Sequence, residues 1–282
     1  MMKDKKNGVY GNKISVVFLC ILAAIFFAPI LLVIINSFKS RLYVSTDPFS
    51  IPRGDMFVGF ENYINGLKTS GFALAAFRSV FITVFSVVLI VVATSMTAWY
   101  IARRKSRGTR ILYYIFVFSM IVPFQMVMYT MTYVVNLIEF DNIFGIILVY
   151  LGFGSGLSVF MFTGFVKGVP LEIEEAATID GCNPLQTFFM VTFPMLKPTA
   201  ITVAILNSMW IWNDYLLPYL ILGTTHKTIP VAIQLAMQGA YGATDYGGFM
   251  AMLVLAIIPI IIFYVCSQKY IIKGVISGAV KG

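Results

Sequence analysis

Charge is what this sequence lacks most. Of its 282 residues only 11% are charged, whereas 59% are hydrophobic and 15% aromatic. A soluble globular domain carries roughly 25% charged residues, so the composition excludes one and points to an integral membrane protein. Cysteine is scarce too. Cys20, Cys182 and Cys266 lie too far apart for a disulfide framework or a paired-cysteine metal site. Cys20 and Cys266 stand within apolar runs, where a thiol is expected to act as a small buried hydrophobe. The single histidine, His226, has no ligand types beside it. With 12 acids spread along the chain, no catalytic constellation can be assembled, so no enzyme is expected. No G-x-x-x-x-G-K-[ST] loop occurs, which excludes a P-loop nucleotide site in this chain.

What is present is long apolar runs. A membrane-crossing helix needs about 20 predominantly apolar residues. Six stretches qualify: 14–35, 79–102, 111–135, 143–166, 199–222 and 249–270. Each is predicted to be a helix, because backbone groups in hydrocarbon must be satisfied within their own segment. The fold class is therefore all-α and integral to the membrane, with six spans in one transmembrane domain over 1–282. The first run follows a basic start but is too long for a signal peptide and has no small-residue cleavage site, so it reads as a retained span. Pro29, Pro123, Pro218 and Pro259 fall in or near the runs and are expected to kink them.

The net charge of +8 is a matter of topology. Most of the 20 Lys and Arg fall in alternate connecting segments: Lys3, Lys5, Lys6 and Lys13; Arg103, Arg104, Lys105, Arg107 and Arg110; Lys167 and Lys197; Lys269, Lys273 and Lys281. Positive charge stays on the cytoplasmic side, which places both termini and the segment 167–198 inside. The other side, with the long segment 36–78, is close to neutral. No nucleic-acid partner is implied.

The segment 167–198 is the most punctuated part of the chain. Pro170 suits the start of a helix. Glu172, Glu174 and Glu175 favour the positive end of its dipole. Ala176 and Ala177 follow, with almost no side-chain bulk. Gly181 stands where a left-handed cap is expected. Asn183, Pro184 and Gln186 read as a second start with a capping box. The prediction is two short helices, about 170–180 and 184–192, the second closed by Pro194 and Pro198. A well-capped connector would share this pattern. Two adjacent alanines favour close approach by another body.

Here a resemblance enters. Glu175-Ala176-Ala177, three residues, Gly181, nine residues, then Val191-Thr192-Phe193-Pro194 is similar to the E-A-A-x3-G-x9-I-x-L-P loop of binding-protein-dependent ABC transporter permeases. Val191 and Phe193 replace the usual Ile and Leu. Trp212-Asn213-Asp214-Tyr215, the run His226 to Val231, and the ending Ser277 to Gly282 resemble the carbohydrate-uptake branch, in its maltose-type second permease subunit. The similarity is strongest from about residue 119 onward. It implies that 167–198 is a coupling loop seated on a cytoplasmic ATPase. In that role Glu175 would make the charged contact, Ala176 and Ala177 would allow close seating, Gly181 would make the turn, and Pro194 would fix the joint to the fifth span. It also implies two ATPase subunits that bind the ATP, a second homologous permease subunit and an extracellular sugar-binding protein. No cofactor of the chain's own is expected.

Polar groups inside spans are candidates for a substrate pathway, since lipid burial is costly for them. Asp214 is the only acid in any predicted span, about 22 Å along the fifth helix from Thr199. Trp210, Trp212 and Asn213 surround it in sequence. Indole faces stack on sugar C–H faces, and amides or carboxylates pair with hydroxyls; an aromatic belt explains the same tryptophans. Gln125 and Asn207 are further candidates, with helix-joining the favoured role for each. The Gly152 to Gly156 run permits bending or close packing, the latter favoured. Phe57, Phe60 and Tyr63 in 36–78 are candidates for receiving the binding protein. The competing class is an ion-coupled secondary transporter or a channel subunit. It would call for more intramembrane charge than Asp214 alone.

Overall fold

The computed structural model describes residues 13–238 and 245–279. Lys3, Lys5, Lys6, Lys281 and the last three residues of the C-terminal motif lie outside the described residues. The described residues are mostly helical and form no strand beyond one isolated bridge between Lys39 and Phe57.

The helices are α1 Lys13–Ser37, α2 Arg41–Thr46, α3 Glu61–Ser70, α4 Phe72–Arg103, α5 Arg107–Ser119, α6 Phe124–Leu137, α7 Ile143–Val166 and α8 Leu171–Ile179. They continue with α9 Pro184–Met195, α10 Lys197–Asn213, α11 Leu216–Leu222, α12 Ile229–Gln238 and α13 Tyr246–Ala279. Among the described residues, Ser15–Ser37, Phe72–Arg103, Ile143–Val166 and Tyr246–Gln268 are each long and apolar enough to cross a membrane. The number is six if each of two bent pairs counts as one span.

Those bent pairs correct two predicted spans. The run 111–135 is not one kinked helix: α5 and α6 meet at 106°. Pro123, held at φ −65° and ψ 140°, caps α6 and cannot continue α5. The run 199–222 is also divided. Helix α10 ends at Asn213, Asp214 is extended, and α11 starts afresh at Leu216. Its partner in the bent pair is α9, at 79°. By contrast α1 and α13 stay helical through Pro29 and Pro259.

The chain forms two compact units, Met1–Ser70 with Ile233–Ile257, and Gly71–Ala232 with Ile258–Gly282. In the first, the end of α1 is fastened by polar groups. Asn36 Nδ2 donates to the Leu32 and Pro48 carbonyls, and Asn62 Nδ2 to those of Ser37 and Lys39. Ser37 Oγ and Tyr63 Oη share a 2.6 Å hydrogen bond. Phe57, Phe60 and Tyr63 all pack on Phe38, with ring centroids 6.2, 5.6 and 5.4 Å away.

In the second unit α7 is the axis, packed along α4 and flanked by α5 and α10. Lipid is as apolar as leucine, so association rests on close packing through small residues. The glycine run shows this. A Cβ on Gly154 would lie 2.7 Å from Ile90 Cδ1, and one on Gly156 2.6 Å from Ser119 Oγ. Helix α7 runs through unbroken, so these glycines serve contact rather than a bend. Tyr150, Phe162, Ile90, Val203 and Leu196 fill the same core. Cys20 and Cys266 are exposed on their helices rather than buried.

Candidate functional site

The punctuated loop folds from local rules. Helix α8 begins after Pro170, with Glu172 and Glu174 in its first turn. It ends at Gly181, whose φ of +88° is the left-handed conformation that side chains with a Cβ avoid. The N–H groups of Gly181 and Cys182 donate to the carbonyls of Thr178 and Ala177, at 3.1 and 3.0 Å. Both orphan carbonyls are thereby satisfied in a Schellman turn. Asn183 and Gln186 then exchange side-chain to backbone hydrogen bonds of 2.9 Å in each direction, a capping box.

Helix α9 departs from expectation. It does not close at Pro194 but continues to Met195 through a π-helical turn, Thr187–Thr192. The Phe193 N–H reaches back to Phe188 O, and this wider turn makes room for the Pro194 ring. Pro198 occupies the first turn of α10, where its missing N–H costs nothing. Between the two helices stands Leu196, fully buried at the 79° bend.

The alanines face different ways. Ala176 is exposed, whereas Ala177 is buried against the body of the loop, so the two do not make one small face. Glu175 is exposed beside Ala176. Among the polar residues of the outer surface stand exposed apolar side chains: Ile179 is 85% exposed, Met190 70% and Leu185 59%. Exposed apolar side chains flanking a free carboxylate form a docking surface more readily than a solvated one.

Behind this surface lies a joint centred on Glu174, which is only 6% exposed. Its carboxylate accepts from Arg103 Nη2 at 2.8 Å, Arg103 Nε at 3.1 Å, Trp99 Nε1 at 3.0 Å and Thr192 Oγ1 at 3.2 Å. Arg103 Nη2 also donates to Val169 O at 2.9 Å. The Trp99 ring packs on Phe188, with centroids 5.4 Å apart. One carboxylate thus binds α8, α9 and the end of α4 together.

The pathway candidates are dispersed. Asp214 closes the gap between α10 and α11: Oδ1 accepts from the Leu216 and Leu217 N–H groups, and Oδ2 from Tyr150 Oη at 3.1 Å. Trp210 stands edge-on to Tyr150, centroids 5.4 Å apart. Trp212 lines a separate cavity of about 280 Å³, walled by Val80, Val84, Met209 and Phe263. Residues two apart on a helix point to nearly opposite sides, so the tryptophans cannot form one platform. Asn213 donates to Met209 O within its own helix. Asn207 is buried, donating to Val203 O and Ser158 Oγ, and joins α10 to α7. Gln125 is exposed on α6.

Residues 90–277 match the family described as binding-protein-dependent transport system inner membrane component. The chain belongs to that family. Among the relatives of this permease is a probable starch degradation products transport system permease protein, AmyC, of Thermoanaerobacterium thermosulfurigenes. It is 36% identical over 97% of this chain and 98% of its own. The multiple sugar-binding transport system permease protein MsmG of Streptococcus mutans is 34% identical over 90% and 91%. A solved bacterial ABC transporter involved in import of the acidic polysaccharide alginate superposes with a TM-score of 0.75. It has 22% identity and covers 96% of this permease and 99% of that chain. At that identity the likeness speaks for the fold. The family is one of transport components rather than enzymes.

Sequence reasoning about the permease missed the joint. It named Glu175 and treated Glu174 only as a favourable charge at a helix start. The available signal was an acid and a small apolar position, Glu174 and Ala177, at helical spacing near a loop rich in arginine. Deciding which acid faces inward needs the packing of α4, which no local pattern contains.

Proposed function

We propose that this chain is a permease subunit of an ATP-driven sugar importer, forming half of the translocation pathway beside a second, homologous permease. The observation that carries the reading is the construction of the loop at 167–198: an outer face with exposed Ile179, Leu185 and Met190 beside exposed Glu175, backed by a buried ionic joint to α4. Such a surface calls for a partner, and in a chain without a nucleotide loop that partner is the ATPase. Two ATPase subunits bind the ATP, and the basic segments set the loop and both termini on their side of the membrane. A sugar-binding protein delivers substrate on the other side. The named sugar systems among the relatives support sugar as the cargo.

Transmission follows from the contacts. When the ATPases close on ATP, their clefts move, and the seated outer face of α8 and α9 moves with them. The Schellman turn and capping box keep the two helices rigid. The Glu174–Arg103 ion pair passes the displacement to α4, and buried Leu196 passes it to α10. Both spans pack on α7, whose small residues permit close sliding. Asn207 is buried within this packing and Asp214 is tied to it through Tyr150, and their part in sugar recognition is to shape the wall rather than to grip the cargo.

The test is to tag the chain in its host, extract it gently with crosslinking, and identify what copurifies. A P-loop ATPase and a second permease support the proposal. Recovery of the chain alone, with uptake that follows an ion gradient and ignores ATP depletion, favours an ion-coupled secondary transporter or channel instead.

A further inference from the structure

Where α4, α5 and the turn between α7 and α8 meet, the second unit contains a cleft of about 770 Å³. Its walls carry Arg103, Arg104, Lys105, Arg110 and Lys167, with Glu172 the one acid. Arg103 is committed to Glu174 and Val169 O. That ion pair is the only one among the described residues, so Arg104, Lys105, Arg110 and Lys167 face the cleft without a carboxylate partner. Aromatic rings hold two of them without neutralising them. Lys167 Nζ lies 5.6 Å from the Tyr113 centroid, and the Arg104 guanidinium 5.9 Å from that of Tyr100. Thr163, 1% exposed, lines the cleft from α7, and its Oγ1 is buried with no hydrogen-bond partner. Buried hydroxyls are ordinarily paired, so this one marks a place for a ligand oxygen.

We propose that this cleft binds the phosphodiester headgroup of an anionic membrane phospholipid. Its position decides for a lipid. The apolar run of α4 ends at Arg103 and that of α7 at Val166, so the cleft opens at the level where hydrocarbon gives way to headgroups. Tyr113 and Tyr114 are amphipathic residues suited to that depth. From the cleft the outer face of α5 continues as exposed Ile111, Ile115 and Phe118, at 60%, 59% and 64%. That is a track for acyl chains, for which a soluble phosphate has no use. Four unpaired cations select a negative headgroup over a zwitterionic one. The lipid would rest directly beside the Glu174 joint, where it steadies the end of α4 during transport. This inference needs only that the chain spans a membrane and does not depend on the identity of its cargo.

The experiment is native mass spectrometry of the full chain with its bound subunits, partly delipidated in mild detergent. Phosphatidylglycerol, phosphatidylcholine or inorganic phosphate is then added. Phosphatidylglycerol should remain as a one-per-copy adduct under activation that strips phosphatidylcholine. Each cation changed to glutamine at Arg104, Lys105, Arg110 or Lys167 should weaken retention about fivefold. Thr163→Val should weaken it less, and Lys105→Arg should preserve it. Arg107→Gln, just outside the cleft, should leave it unchanged. If any of the cation variants fails to insert, Lys167→Gln and Thr163→Val carry the same test. Equal retention of the two lipids overturns the proposal, as does indifference to the cleft substitutions. Displacement of phosphatidylglycerol by millimolar inorganic phosphate also overturns it, in favour of a soluble anion.

Discussion

Glu174 and Asp214 are both acids set against an aromatic side chain, yet they hold their surroundings in different ways. Glu174 is matched by a guanidinium and accepts from three side chains drawn from α4 and α9. Asp214 has no cation. It accepts two backbone N–H groups and a phenol, and so finishes a helix start and ties it to α7. The first joint links a loop and a span with charge-assisted bonds that keep their geometry. The second repairs a break in the backbone where lipid would otherwise meet unpaired N–H groups. A joint that passes on force needs side chains from several elements, whereas a joint that merely permits a break needs only a cap.

The largest effect is expected from breaking the first joint. Glu174→Ala leaves the Arg103 guanidinium and the Trp99 indole N–H without their acceptor in a mostly buried site. Removing one partner of such a pair costs about 3 kcal/mol. Uptake by the reconstituted importer should fall to background. Quantitative immunoblotting of the membrane fraction separates loss of coupling from loss of protein. Glu174→Gln, which still accepts from Trp99, should retain part of the activity. Glu175→Gln, at an exposed position, should change stability by less than about 0.5 kcal/mol. It should nonetheless reduce ATPase stimulation by the permease. Equal behaviour of the Glu174 and Glu175 variants in both assays would erase the distinction between an internal joint and an external contact.

Gly181→Val sharpens the same distinction from the backbone. No atom lies within 4 Å of a Cβ at Gly181, so crowding plays no part, and the φ of +88° alone makes the substitution strained. A β-branched residue held there costs about 1–3 kcal/mol. The Schellman turn should loosen, and transport should drop several-fold while membrane insertion stays intact. Gly181→Asn, which tolerates that region, should be far milder. Transport unaffected by valine would show that rigidity between α8 and α9 is not needed.

These elements differ in how far they can be read from sequence. The capped ends of α8 and α9 are legible because each is decided within a few residues: glycine after a helix, asparagine three before glutamine. The apolar runs are legible because bilayer thickness sets their length. Breaks within them are not, since hydropathy averages over Pro123 and Asp214 and returns one run where the chain makes two helices. The π turn before Pro194 leaves no pattern of its own, because it answers a backbone conflict that appears only once the helix continues past the proline. The inward face of Glu174 and Ala177 is illegible for a related reason: it is set by Trp99, Arg103 and Phe188, two of them more than seventy residues upstream. Trp210, Trp212 and Asn213 looked like one cluster around Asp214 only because sequence neighbours were taken as spatial neighbours.

At the second joint smaller changes are expected. Tyr150→Phe removes the one side-chain donor to Asp214 and should cost about 1 kcal/mol, the usual net value of a hydrogen bond. Asp214→Asn keeps an acceptor for the Leu216 and Leu217 N–H groups and should cost no more. Sugar uptake should be reduced modestly by either, with an unchanged concentration for half-maximal uptake. A large change in that concentration on Asp214→Asn or Trp210→Ala alone would place the carboxylate or the indole on the cargo. It would make the second joint a binding site rather than a cap.

The smallest effect concerns a buried charge held by a single backbone carbonyl. Lys39 is fully buried, and its Nζ donates to the backbone carbonyl of Asp47 at 2.6 Å. Burial lowers its pKa below the ordinary 10.5, and the nearby Asp47 charge offsets this only in part. The folded chain therefore releases this proton more readily than the unfolded one. Its stability should rise with pH through the alkaline range between the lowered value and 10.5, and fall again as pH drops through that lowered value. Lys39→Met removes the titrating group and should flatten this rise in thermal unfolding of the detergent-solubilised chain. An unaltered slope in the variant would show that another group titrates there. Unlike Glu174, whose charge is answered by Arg103, Lys39 would then be a charge that the fold carries without cost.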